Sequence, residues 1–247
     1  MIAGDQPVCF PDSVLAVVSS RDDGTMLDRT YGESHEPHIL KRRDNFCREH
    51  GVAYADVAYQ RITYGHERTY DVIADVDESD GTSSRQDVDA DALFTSIKGL
   101  GLFLPIADCV GTIIFDPINQ FLGIAHLGRH STVANLASKL VEHFIERGSQ
   151  ADDLIIWMAP HAKVESYKLE YFDQAEDPAW APYVRRESDG IYIDMAGYNR
   201  NLFTQKGVKL ENIHISDVDT AQNKNYFSHS QGDAFGRFAI LAMTKTH

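Results

Sequence analysis

The stretch "PIADCVGTIIFDPINQFLGIAHLGRHS", residues 105–131, decides the fold. Its two apolar runs flank the turn-forming "DPINQ", which predicts two buried strands that return on each other. Cys109 and His126 occupy positions where an ordinary core would hold Val or Ala. Each residue alone is more commonly a core side chain than a reactive one. If the two strands end side by side, however, the thiol and the imidazole approach each other.

The rest of the chain mixes strands and helices without a regular βαβ alternation. Residues 14–20, 154–160 and 237–244 are apolar and predict strands, whereas residues 38–51 and 193–207 predict helices that end at glycines. The clearest helix is predicted over residues 133–148, with Ser131 or Thr132 as its cap and Gly148 at its end. The acidic segment 75–91 predicts an exposed loop. The pattern favours an α+β class, with a single compact domain over residues 1–247 and mixed β-sheets flanked by helices.

Composition excludes several classes of partner. The 247 residues carry 37 acidic and 23 basic side chains and a net charge of −14, which disfavours binding to nucleic acid or to an anionic membrane. The three cysteines, Cys9, Cys47 and Cys109, are too few and too widely spaced for a disulfide framework. With no signal-peptide pattern and no apolar run that could span a membrane, the sequence predicts a cytoplasmic protein. It does not indicate an oligomeric state.

Polar residues beside Cys109 and His126 favour a functional site. Asp108 precedes the cysteine, and the cluster 129–132, "RHST", follows the histidine at a predicted helix start, where free N–H groups attract anions. His66, in "YGHE", is a candidate third partner. One cysteine and two histidines suit a zinc ion with an open fourth position. The same Cys109 and His126 also suit a thiol nucleophile with its base, so both alternatives stay open.

Several motifs resemble the YfiH family, known also as laccase-domain or polyphenol oxidase proteins. They are "DADALFT" (89–95), "ADCVGTIIFDP" (107–117), "GIAHLG" (123–128), "VVSSRDDGT" (17–25) and "NYFSHSQGDAFGRFAIL" (225–241). The resemblance covers most of the chain. It implies the YfiH fold and a zinc-dependent purine nucleoside phosphorylase with adenosine deaminase side activity. The implied substrates are a small purine nucleoside and phosphate.

The resemblance also implies a catalytic metal centre. Zinc in this family is held by His, Cys and His, which carries over to His66, Cys109 and His126. The first position departs from the family, because the His-Gly of the family is here Gly65-His66. An ungapped alignment places Gly65 at the ligand position, so His66 serves only if a bulge or an altered turn redirects its side chain.

Five further residues are candidate substrate contacts. Arg21 matches a family arginine, Arg129 stands where the family has tryptophan, and His130 stands where it has arginine. These three are candidates for binding the anion. Asp108 is predicted either to orient a metal ligand or to form a hydrogen bond at a strand end. Arg237, in "FGRFA", is either a pocket residue or half of a surface ion pair.

Other functions remain as alternatives. Cys109 and His126 without metal would form a cysteine hydrolase. The Gly-His inversion, together with the missing tryptophan and arginine, favours a catalytically impaired protein that binds nucleosides. A copper oxidase is the least favoured, because one cysteine and scattered histidines do not supply several copper sites.

Overall fold

A five-stranded mixed sheet forms one half of the core in a computed structural model that describes residues 1–27, 35–84 and 87–246. Strands are numbered along the chain. In spatial order the sheet contains β1 (Val14–Val18), β14 (Phe238–Thr244), β6 (Gly101–Ile106), β2 (Val57–Arg61) and β4 (Val88–Asp89). The pairs β1–β14 and β14–β6 are antiparallel, whereas β6–β2 and β2–β4 are parallel.

A six-stranded mixed sheet forms the other half. Its strands, in spatial order, are β13 (Ile213–Ile215), β9 (Ile155–Met158), β7 (Val110–Asp116), β8 (Phe121–Leu127), β5 (Ala92–Thr95) and β3 (Ile73–Asp75). A small third sheet contains β10 (Lys168–Leu169), β12 (Gly190–Ile193) and β11 (Val184–Glu187). The small sheet was not predicted, because its short strands carry charged, largely exposed residues and lack a long apolar run.

The two large sheets pack face to face, and helices cover their outer faces. Leu104 and Ile240 of the first sheet share one buried apolar cluster with Ile113 and Ile124 of the second. Helix α1 (Pro37–Glu49) covers the first sheet, and the second is covered by α2 (Arg129–Val133), α3 (Leu136–Glu146) and α4 (Met195–Gln205). Because the strands are buried on both faces, they read as continuous apolar runs. Among the described helices, none is long and apolar enough to cross a membrane.

The opening stretch folds as predicted, into the antiparallel hairpin β7–β8. Its turn is fixed by Asp116, whose carboxylate accepts hydrogen bonds from the backbone N–H groups of Ile118 (2.7 Å) and Asn119 (3.0 Å). The resulting register pairs Gly111 with His126. Since Gly111 lies two residues after Cys109, this register brings the thiol-bearing turn to the end of β8 that carries the histidine.

The helix predicted over residues 133–148 is interrupted. Helix α2 ends at Val133, Asn135 adopts the left-handed conformation (φ 59°), and α3 begins at Leu136. Asparagine tolerates this conformation better than most side chains. The predicted cap at Ser131 or Thr132 is therefore wrong, because both residues lie inside α2. The Ser131 hydroxyl binds the backbone at the end of β8 instead.

The acidic segment 75–91 is only partly the exposed loop that was predicted. It contains β4 and ends at Asp91, which is fully buried. Burial is tolerated because Asp91 accepts hydrogen bonds from the Arg68 guanidinium (2.8 Å) and from the Val72 backbone (3.1 Å). Residues 85–86 of the segment lie outside the described residues.

Candidate active site

A cavity of about 780 Å³ opens where β2, β6, β8 and α2 meet. Its volume lies in the range of small-molecule sites, roughly 300–1,000 Å³. Cys109, His126, Arg129, His130 and Arg237 all contribute to its lining. The structure thus brings five of the eight predicted site residues to one cavity.

Cys109 and His126 converge at Gly128. A Cβ atom built on Gly128 would lie 3.2 Å from Cys109 Sγ and 3.2 Å from His126 Nε2. The sulfur and the nitrogen are therefore separated by no more than twice that distance. Because Gly128 has no side chain, no Cβ crowds these two atoms. A thiol and an imidazole this close suit either a shared metal or a nucleophile–base pair.

The turn that carries Cys109 is held by Asp108. Asp108 has a left-handed backbone (φ 66°) and is only 6% exposed. Its carboxylate accepts hydrogen bonds from the Thr220 hydroxyl (2.8 Å) and the Ser230 backbone N–H (2.8 Å). Its carbonyl accepts one from the Ala162 N–H (2.9 Å). These bonds fix the position of the neighbouring cysteine, but they direct the carboxylate away from the cavity lining.

The end of β8 is held by Ser131. Its hydroxyl donates to the His126 carbonyl (2.6 Å) and accepts from the Gly128 N–H (2.9 Å). A hydroxyl can do both at once. Ser131 therefore fixes the segment that presents His126 and leaves Gly128 open beside it.

Arginine side chains form part of the cavity lining. Arg61, Arg129 and Arg237 contribute to the cavity lining. Arg61 is paired with Asp87 and Asp89, whereas Arg237 is 7% exposed and donates to the Gly236 carbonyl (2.6 Å). Planar guanidinium groups bind oxyanions in a bidentate manner, so this wall suits an anionic substrate.

His130 has a different character from the arginines. Burial lowers its pKa, and the charge of Arg129 lowers it further. The imidazole also stacks on the Tyr70 ring, with centroids 4.6 Å apart and planes 20° apart. A lowered pKa favours the neutral form, so Arg129 is the better candidate for binding an anion at this helix start.

Arg21 does not reach the cavity lining. Its guanidinium binds Asp233 through two hydrogen bonds (3.1 and 2.5 Å) and donates to the Tyr226 carbonyl (2.7 Å). The predicted substrate contact is therefore a clamp on the segment before β14. The sequence did not reveal this, because the partner lies more than 200 positions along the chain.

His66 lies in an exposed turn after β2 and is not part of the cavity lining. Thr63, Tyr64 and Tyr70, on either side of it, do line the cavity. Among the described residues, no group of three His, Cys, Asp or Glu side chains could hold a metal ion. Two of the three predicted ligands are thus together, and the third lies in an exposed turn outside the lining.

Tyrosines and one histidine of the cavity were missed as site residues. Tyr64, Tyr70 and Tyr167 add aromatic rings to the lining, and His229 adds an imidazole. Burial raises the pKa of Tyr167, and the nearby Cys109 raises it further, so its phenol stays protonated at neutral pH. The tyrosines flanking "GHER" looked like ordinary strand residues, and only the fold shows that they face a cavity.

A comparison with known proteins identifies the family of this chain. A family model described as multi-copper polyphenol oxidoreductase laccase matches residues 26–245. The chain belongs to this family. The predicted resemblance to laccase-domain, YfiH-like proteins is therefore confirmed. The family description concerns copper chemistry, whereas the curated relatives carry names from purine metabolism.

Two laccase-domain relatives illustrate those names. Purine nucleoside phosphorylase YlmD of Bacillus subtilis is 26% identical over 62% of this chain and 58% of its own length. Adenosine deaminase RL5, from an unknown prokaryotic organism, is 24% identical over 88% of this chain and 77% of its own length. The first alignment spans less than two thirds of that relative.

Solved laccase-domain structures confirm the fold. YlmD from Geobacillus stearothermophilus superposes with a TM-score of 0.84 at 19% identity, covering 99% of this chain and 98% of that one. The hypothetical protein YfiH of Bacillus licheniformis gives 0.82 at 22% identity, covering 95% and 94%. The predicted arrangement of mixed sheets flanked by helices is therefore correct.

Proposed function

We propose that this protein cleaves purine nucleosides with phosphate in the Cys109–His126 cavity. The observation that carries the proposal is the convergence of Cys109 Sγ and His126 Nε2 beside Gly128, in a cavity lined by arginines and aromatic rings. Names of relatives, purine nucleoside phosphorylase and adenosine deaminase, support the same substrate class.

Aromatic side chains would contact the purine, and cationic side chains would bind the phosphate. Tyr64, Tyr70 and Tyr167 offer ring faces and edges for the purine. Arg129 and Arg237 offer guanidinium groups for phosphate. A cavity that holds both substrates places the phosphate oxygen near the anomeric carbon, which removes much of the entropic cost of their encounter.

The reaction then needs charge stabilisation at two places. Phosphate forms a bond to the anomeric carbon as the glycosidic C–N bond breaks, and the electron pair leaves with the purine. Arg129 stabilises the phosphate charge. Tyr167, protonated because its pKa is raised, donates a hydrogen bond to the departing purine. Both groups act in a partly buried site, where such interactions are stronger than in water.

We propose zinc as the metal of this site, with Cys109 and His126 as two ligands and His66 as the third once its exposed turn moves towards the cavity. Thiolate and imidazole are preferred zinc donors, and Cys109 Sγ and His126 Nε2 each lie 3.2 Å from the position that a Cβ on Gly128 would take. His66 lies two residues after Tyr64, which lines the same cavity, and it stands next to the family's first ligand position. When bound, zinc would supply a Lewis acid and an open coordination position for water or an oxyanion.

Phosphate-dependent release of free base tests the function. Purified protein, loaded with zinc, is incubated with adenosine, inosine, guanosine or methylthioadenosine, with and without phosphate. We expect base release from at least one nucleoside only when phosphate is present. Cys109→Ser and His126→Ala should abolish it, whereas the matched control Cys9→Ser should not, because Cys9 lies outside the cavity lining. No release from any of the four would reject the proposal. Inosine formed from adenosine would indicate deamination instead.

Zinc content tests the ligand set separately. We expect about one zinc per chain in the wild type and losses in Cys109→Ser, His126→Ala and His66→Ala. His229→Ala is the control histidine, because it changes the same cavity without removing a proposed ligand. Full zinc in His66→Ala would remove that residue from the set.

A metal-free thiol mechanism is the second candidate. It is favoured by the absence of a three-ligand group among the described residues, since Cys109 and His126 alone suffice for a nucleophile and its base. Activity that survives chelation and is abolished by alkylation of Cys109 would support it. Activity that chelation abolishes and zinc restores would exclude it.

A further inference from the structure

The segment 228–233 presents one side chain, His229, to the cavity. His229 has no part in the function proposed above, and it was not predicted from the sequence. It stands on a loop without regular secondary structure, a few residues before Ala234 and Arg237, which also line the cavity. How firmly this loop is held decides whether His229 is a positioned contact or a surface residue.

Hydrogen bonds close the loop on itself. The Asp233 N–H donates to the Ser228 carbonyl (3.0 Å), and the Ser228 N–H donates back to the Asp233 carboxylate (2.9 Å). The Gly232 N–H donates to the His229 carbonyl (3.3 Å), and Gly232 turns the chain with a positive φ of 102°. The backbone of His229 is therefore enclosed in a small hydrogen-bonded ring.

Arg21 anchors this ring from outside the cavity. Its guanidinium binds the Asp233 carboxylate in a bidentate manner, at 3.1 and 2.5 Å. It also donates to the carbonyls of Tyr226 (2.7 Å) and Lys224 (3.1 Å), and it lies over the Phe227 ring at 4.4 Å. A planar donor with five N–H groups can serve all of these partners at once.

Asp108 anchors the ring from the other side. Its nearly buried carboxylate accepts the Ser230 N–H (2.8 Å), one residue after His229, and the Thr220 hydroxyl (2.8 Å). Asp108 directly precedes Cys109 in the chain. One carboxylate thus ties the turn that carries the cysteine to the loop that carries His229.

We propose that Arg21 and Asp108 are positioning residues that hold the 228–233 loop so that His229 contacts the nucleoside. The inference rests on the proposed function for the identity of the ligand. An imidazole offers one donor and one acceptor to sugar hydroxyls or purine nitrogens. Holding it in place before the substrate arrives reduces the entropic cost of making the contact. Arg21 and Asp108 act on the site although neither lines it.

A double-mutant cycle between Arg21 and His229 tests the coupling. We expect His229→Ala to raise the KM for nucleoside by about tenfold, the equivalent of one hydrogen bond, and to leave the KM for phosphate unchanged. Arg21→Met should shift the nucleoside KM in the same direction. In the double variant the Arg21 substitution should add less than about twofold, because its effect passes through His229. Arg48→Met, which removes an exposed arginine–aspartate pair in α1, is the control and should leave both KM values unchanged.

Two kinetic results would overturn the proposal. One is a His229→Ala protein with an unchanged nucleoside KM. The other is a double variant whose KM equals the product of the two single effects. A wild-type protein that neither binds nor cleaves any purine nucleoside would reject the proposed function, and with it the contact assigned to His229.

Amide hydrogen exchange tests the positioning without any activity. We expect slow exchange at the Ser228 and Ser230 amides in the wild type. Asp108→Ala should speed exchange at Ser230, because the variant has no side-chain acceptor for the Ser230 N–H. Arg21→Met should speed exchange at Ser228, and Arg48→Met should change neither. Fast exchange at both amides in the wild type would show an unanchored loop and overturn the positioning roles.

Discussion

Replacing Gly128 with alanine should disable the site while leaving the fold in place. The new Cβ would lie 2.8 Å from His126 Cε1 and 3.2 Å from both His126 Nε2 and Cys109 Sγ. Carbon atoms in contact are ordinarily about 3.5–4.0 Å apart, so the imidazole must move by about 1 Å. Gly128 has φ −85°, which suits any L-residue, so the substitution introduces no backbone strain.

The expected loss of activity is large, whereas the expected loss of stability is moderate. Displacing a reacting group by about 1 Å costs roughly 100-fold in rate, whereas overpacking by one methyl costs about 1–3 kcal/mol of stability. We therefore expect kcat/KM for nucleoside phosphorolysis to fall about 100-fold or more, with loss of bound zinc and a still cooperative urea transition. Gly4→Ala is the matched control, because a Cβ there has no atom within 4 Å. A Gly128→Ala protein with activity within about threefold of the wild type would refute the assigned geometry. Threefold is well below even the tenfold change that about 1.4 kcal/mol of lost transition-state stabilisation would give.

Three further predictions follow from single residues. Burial lowers the pKa of His161 to about 4, against about 6.5 in an unfolded chain. The stability that depends on the neutral imidazole is therefore complete above pH 6.5 and is lost as the pH falls towards 4. The unfolding free energy of the wild type should therefore fall by about 3 kcal/mol relative to His161→Gln over that range in urea titrations. Tyr167→Phe should lower kcat by about tenfold with little change in melting temperature, because the ring is kept and one hydrogen bond is lost; an unchanged kcat would contradict its role. Asp91→Asn should lower the unfolding free energy by about 3 kcal/mol, because it leaves the charge of Arg68 (18% exposed) without its carboxylate; a loss below about 0.5 kcal/mol would contradict the burial of this pair.

The central hairpin was predictable from the sequence because its signals are local. Strands buried on both faces need continuous apolar runs, and the turn between them needs a residue such as Asp116 that binds backbone N–H groups. Once the hairpin is accepted, its register alone brings Cys109 and His126 together. The pairing of these two residues was therefore within reach of the sequence.

The roles of Arg21 and Asp108 were not predictable in the same way. Arg21 was expected to bind the substrate anion, and Asp108 either to orient a metal ligand or to form a hydrogen bond at a strand end. Both side chains bind the segment that precedes β14. Their partners, Asp233 and Ser230, are more than 100 positions away in the sequence, and no periodicity reports such contacts. The break at Asn135 was missed for a related reason, since the apolar spacing continues across it.

The side-chain direction of His66 was also beyond the sequence. In a strand, the order Gly65-His66 instead of His-Gly would turn the histidine side chain to the other face, because a shift of one position reverses the face. The chain leaves β2 at Arg61, before Gly65 and His66, so neither residue belongs to a strand with a fixed face. Local turn geometry, rather than strand alternation, sets the direction of this histidine side chain.

The most direct test compares hypoxanthine release from inosine by the wild type and by Cys109→Ser, with and without phosphate. We expect phosphate-dependent release by the wild type and a loss of about 100-fold or more in the variant, because serine keeps the shape of the residue but removes the thiolate. Equal release by both proteins would show that Cys109 and His126 do not form the reactive centre of this cavity.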